Sequence, residues 1–111
     1  MTGLKEMMVP GNNTLRGQSA FYMLHPGLFR YLDIPDVASI AAPRPMFVLD
    51  GETDPLFSAA GREVAYRKMG PAWAAQRAQD RLRTQVFPGL GHVFVEEMQE
   101  AAFSWLDHWL R

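Results

Sequence analysis

Two short strand-like runs constrain this chain more than any other feature. Met46-Phe47-Val48-Leu49 is unbroken by polar residues, follows Pro45 and ends at Asp50-Gly51. A run this short and this continuous fits a strand covered on both faces, as in a parallel sheet. Thr84-Gln85-Val86-Phe87 is β-branched and aromatic, and Pro88-Gly89 stops it. About thirty residues separate the runs, more than the dozen or so that a helical crossover between parallel strands requires. Residues 45–50 and 84–87 are therefore expected to be parallel neighbours.

Capping and periodicity place helices around them. Asp33 can cap a helix that starts Ile34-Pro35-Asp36. Proline costs little in a first turn, and an acid there suits the helix dipole. Val37, Ile40 and Ala41 fall on one face of it, and Pro43 and Pro45 stop it. Ser58 is expected to cap the next helix, carrying Arg62, Val64, Ala65, Tyr66 and Met69 and ending at Gly70. Pro71 is expected to start another helical stretch, AWAAQRAQDRL. From Val95 to Leu110, Met98, Ala102, Trp105, Leu106 and Trp109 form one apolar stripe. Residues 1–32 are the least regular part, with turn clusters at Pro10-Gly11-Asn12-Asn13 and Pro26-Gly27, and read as an excursion packed on something larger. The fold class implied is α/β: one domain spanning residues 1–111, with parallel strands and flanking helices.

Composition excludes several classes. The net charge of −1 gives no basic field for nucleic acid or an anionic membrane. Without cysteine there is neither a disulfide framework nor a thiolate zinc site. His25, His92 and His108 have no paired metal-ligand spacing, so no metal site is expected. No apolar run approaches the roughly 18 residues of a membrane span, and the opening residues carry no signal-peptide core. The compartment stays open.

The loop after each strand carries one catalytic-type side chain. Asp54 lies in GETDP, four residues past Asp50, and His92 ends PGLGH, five past Phe87. Loops that follow parallel strands emerge at one edge of the sheet, so adjacent strands would bring Asp54 and His92 together. A carboxylate on the imidazole Nδ1–H fixes its tautomer and stabilises the imidazolium formed on proton abstraction. Gly51 would let the chain turn off its strand, and Gly89 and Gly91 would let the histidine loop fold over the sheet edge. Singly, Asp54 in a turn before proline and His92 after glycine are ordinary loop residues. As a pair in the order acid then base, they are the second half of a Ser–Asp–His device.

The nucleophile is missing from the pattern. The serines are Ser19, Ser39, Ser58 and Ser104. A nucleophile elbow needs G-x-S-x-G between a strand and a helix. Gly17-Gln18-Ser19-Ala20-Phe21 has the first glycine but phenylalanine in place of the second, and no apolar strand precedes it. Ser58 reads as a helix cap, and Ser39 and Ser104 lie within helices. His108 beside Trp109 and the three tryptophans read as packing groups.

From Tyr31 to Arg111 the chain resembles the C-terminal third of a serine α/β-hydrolase, most closely the dienelactone hydrolase and acetyl-xylan-esterase-like esterases. The segments that carry the resemblance are IPDVASIAAPRPMFVLDGETDPLF, FPGLGHVF and EEMQEAAFSWLDHWL. It implies Asp54 as triad acid and His92 as triad base, with the serine and the oxyanion hole on a preceding part of the same fold. It further implies carboxylic-ester substrates, acetylated carbohydrates or lactones among them, no metal or organic cofactor, and a chain that is inactive alone. A prolyl-oligopeptidase-like peptidase ends similarly, and a binding module built on the same scaffold would retain both residues. With two strands, an unpaired edge on the first is expected to make the isolated chain marginal or prone to aggregate.

Overall fold

A computed structural model describes residues 1–7, 25 and 27–110. Among these, α1 is Leu4–Met7, α2 Ile34–Ser39, β1 Met46–Gly51, α3 Ala59–Ala75, β2 Leu82–Phe87 and α4 Glu96–Trp109. Short 3-10 turns cover Leu28–Arg30 and Gln79–Arg81. The fold is mixed α/β. β1 and β2 pair in parallel, in register from Met46 opposite Leu82 to Gly51 opposite Phe87. Both strands form where the sequence runs lie, and β2 begins two residues earlier than its run.

Strand alternation sorts the layers. Val48 packs with Met69, Trp73 and Ala78 in the buried core, and Met46 and Leu82 close over them. Phe47 faces the other way, with its ring 5.7 Å from that of Trp105. Thus α3 covers one face of the sheet and α4 the other. Trp73 is fully buried, and its indole N–H donates to the Arg44 carbonyl at 3.0 Å. That bond ties α3 to the segment that leads into β1.

The caps form as the side-chain chemistry dictates. Asp33 accepts from Ile34 N at 2.7 Å, and Asp36 returns a bond to Asp33 N at 2.7 Å. Ser58 accepts from Gly61 N at 3.2 Å at the start of α3.

Two expectations need correction. Gly70-Pro71 does not divide two helices, because α3 runs through both to Ala75. Met69 and Trp73 flank that dipeptide at helical spacing and are both fully buried in one core. This packing keeps the axis continuous through a proline that withdraws one backbone donor. The true stop is a Schellman turn: Arg77 takes φ 55°, Arg77 N bonds Ala74 O at 3.0 Å and Ala78 N bonds Trp73 O at 3.0 Å. The stretch beyond it is therefore a 3-10 turn and not a helix.

Secondly, Val37 and Ile40 do not face the core, and Ile40 is 74% exposed. Ala38, Ala41 and Ala42 pack inward instead, because small side chains let α2 approach α3 closely. Within residues 1–32 the described part holds α1, whose Met7 is buried, and the turn cluster Pro10-Gly11-Asn12-Asn13 lies outside the described residues.

Candidate active site

The loop after β1 folds back on itself around Asp54. Asp54 N donates to Gly51 O at 3.3 Å, and Asp54 Oδ1 accepts from Leu56 N at 2.8 Å. An aspartate that hydrogen-bonds a backbone amide two residues on closes its own turn. The Asp54 side chain is only 4% exposed.

The loop after β2 continues the parallel pairing past the last strand residues. Glu52 N donates to Phe87 O and Thr53 N to Leu90 O, both at 2.9 Å. The Glu52 carboxylate accepts from Gly89 N at 2.9 Å, and Gly89 sits at φ 67°, where an L side chain would be strained. Four links thus bind the loops, the fourth being the side-chain pair itself.

That pair is His92 Nδ1 with Asp54 Oδ2, at 2.9 Å. The His92 side chain is 61% exposed, against 4% for its partner. The Phe57 ring lies 6.0 Å from the imidazole, tilted by 57°. Because the ionised Asp54 only accepts, Nδ1 carries the proton in the neutral ring and Nε2 is left as the acceptor. The site can therefore hold an imidazole in one tautomer and stabilise it once protonated.

Gly51 has a different reason from the turn expected of it. A Cβ there would overlap the carbonyl oxygens of Leu90 and Gly91. Glycine at this position lets the two loops touch.

Two neighbours escape a reading of the sequence alone. Arg62 is 4% exposed, and its guanidinium donates to Gly51 O at 2.9 Å, Phe57 O at 2.7 Å and Glu52 O at 3.0 Å. In sequence it is one arginine on a helix otherwise rich in solvent-facing charge. Asp50, also 4% exposed, accepts from the Tyr66 hydroxyl. Burial, then the hydrogen bond and charge of Asp50, raise the Tyr66 phenol above its ordinary range.

The structure brings none of the described serines to His92. Ser39 Oγ donates to Pro35 O at 2.7 Å, Ser58 caps α3, and Ser104 lies on α4. Ser19 lies outside the described residues. His108 meets Trp109 edge-on at 4.9 Å, and His25 lines a recess with Phe29, Ile34 and Val37. Among the described residues no group of three or more His, Cys, Asp or Glu gathers as metal ligands, and no helix is long and apolar enough to cross a membrane. No protein-family model, curated protein or solved structure matches the chain.

Proposed function

We propose that this chain is the C-terminal part of a serine ester hydrolase of the α/β-hydrolase kind, and that it supplies the acid and the base of the catalytic device. The observation that carries this reading is the 2.9 Å contact between His92 Nδ1 and a buried Asp54, at the carboxyl edge of two parallel strands. The resemblance of the three quoted segments to dienelactone-hydrolase-like esterases supports it from the sequence side.

In the proposed reaction a serine from a preceding segment attacks the acyl carbon of an ester, and His92 Nε2 takes the hydroxyl proton. Asp54 holds the ring and stabilises the imidazolium. The proton then passes to the departing alkoxide and the alcohol leaves an acyl-enzyme. Water, deprotonated by the same nitrogen, releases the carboxylic acid and restores the serine. The half-exposed ring suits this task, since its free nitrogen must meet a group supplied from outside the described residues.

The test is the coding sequence that precedes Met1. The reading expects an in-frame strand followed by G-x-S-x-G. It also expects the continuous protein to hydrolyse p-nitrophenyl acetate, with Asp54→Asn lowering kcat by about 10⁴-fold and His92→Ala by about 10⁶-fold. An upstream stop codon without that motif, or turnover indifferent to His92→Ala, would sink the reading.

A further inference from the structure

Arg62 is out of place by two ordinary rules. Its side chain is a cation in the first turns of α3, where the helix dipole disfavours positive charge. It is also buried, where a charge must find compensation. Its backbone N–H makes an ordinary helical bond to Ser58 O at 3.0 Å, so the helix itself does not require an arginine. What singles it out is the destination of the guanidinium. Helical side chains lean toward the N-terminus, and this one reaches back over the start of α3 into the loop after β1.

There it donates to three carbonyls that bracket Asp54 in sequence. Gly51 and Glu52 lie before it, Phe57 after it. The Gly51 oxygen receives both Arg62 Nη1 and the Asp54 backbone N–H. The Phe57 carbonyl belongs to the residue whose ring lies beside His92. A planar fork with several donors can close such a loop at both ends, and a lysine ammonium cannot reproduce it.

We propose that Arg62 is a positioning residue that sets the Asp54–His92 hydrogen bond by clamping the loop on either side of Asp54. Its importance for catalysis rests on the hydrolase reading above, whereas its effect on the pair can be read without any turnover.

The experiment is nitrogen-15 NMR of the His92 ring in the full 111-residue chain at about pH 9, where imidazole is neutral. The unaltered chain should hold His92 as the Nδ1–H tautomer. Arg62→Met should shift the ring several-fold toward the Nε2–H form that free histidine favours, and Arg62→Lys should not restore it. The Trp73 indole N–H, bonded to Arg44 O near the other end of α3, reports whether the fold persists. An Arg62→Met chain with the Trp73 signal intact and the Nδ1–H tautomer unchanged overturns the proposal.

If Arg62→Met unfolds the chain, warming the unaltered chain below its melt decides the matter. The Arg62 Nη–H and His92 Nδ1–H signals should broaden together. An Nδ1–H signal that outlives the Arg62 signals overturns the proposal. In the continuous hydrolase, loss of the clamp should lower kcat by about 100-fold with KM unchanged. Absence of ester turnover in that protein removes the hydrolase reading and leaves the NMR outcome standing.

Discussion

The two long helices invert what their sequences advertise. α4 carries a clean apolar stripe, yet Met98 is its one fully buried residue among those described, and Leu106 on that stripe is exposed. α3 has no comparable stripe, yet Ala65, Met69 and Trp73 are completely buried on it. The difference lies in what each helix meets. α3 packs on one sheet face together with α2 and the turn after its own C-terminus. α4 meets the opposite face through the contact of Phe47 with Trp105, and Phe103 and Leu106 along it stay exposed. Amphipathicity records that a helix has a face to bury. It does not record how much of that face its neighbours cover.

The largest break in this comparison should come from Trp73→Ala. It empties a fully buried aromatic site and strands the Arg44 carbonyl. Large-to-small changes of this kind cost about 3–5 kcal/mol, a large share of a domain's usual margin. Trp105→Ala on α4 should cost clearly less, because that residue is only partly buried. Urea unfolding of both variants checks the pair. Equal losses would mean that the two helices are equally embedded.

These contrasts also mark how far the sequence could be read. The caps at Asp33 and Ser58 were legible because they depend on side chains within a few residues. β1 was legible because a short apolar run ended by glycine has few other uses, and β2 because β-branched and aromatic residues stop at Pro88-Gly89. The Asp54–His92 contact followed from parallel order alone, since strands in one direction deliver their loops to one edge. The continuity of α3 was not legible: local rules favour a break at Gly70-Pro71, and only the shared burial of Met69 and Trp73 overrides them. Arg62 was hidden for a related reason. Its partners are backbone carbonyls, which leave no trace in residue types.

A smaller effect, on the alkaline side, sharpens the picture of α3 as the anchored helix. The Tyr66 phenol is raised by burial and by the Asp50 carboxylate. A group whose folded pKa lies above its unfolded value of about 10 contributes fully below that pH, and its contribution is lost as pH rises toward the folded value. The chain should therefore lose stability from about pH 10 upward. Tyr66→Phe should show less of this loss than the unaltered chain when urea midpoints at about pH 9 and 11.5 are compared. Equal slopes in both would detach Tyr66 from the alkaline transition. The effect should stay below that of Trp73→Ala, since the hydroxyl is only partly buried.

Ser58→Ala probes the same helix at its start. The hydroxyl accepts from Gly61 N at 3.2 Å, and removing a serine cap costs about 1 kcal/mol. The urea midpoint should fall accordingly. Because the cap adjoins Phe57, whose carbonyl accepts from Arg62, the His92 ring signals should shift slightly as well. A stability loss with no change at His92 would mean that the helix start and the acid loop are uncoupled.

The smallest effect belongs to the outer face of α4. Phe103 is 61% exposed, and Phe103→Ser exchanges residues of similar helix propensity. Without a packed environment to lose, the change should alter stability by no more than about 0.5 kcal/mol. The measurement has a second arm, because Phe103 shares its helix with exposed Leu106 and Leu110. If the urea midpoint of the unaltered chain rises with protein concentration and that of Phe103→Ser does not, the outer face of α4 is buried between copies in solution. The inversion between the helices would then belong to the single chain alone, and the apolar character of α4 would be explained by contact outside it.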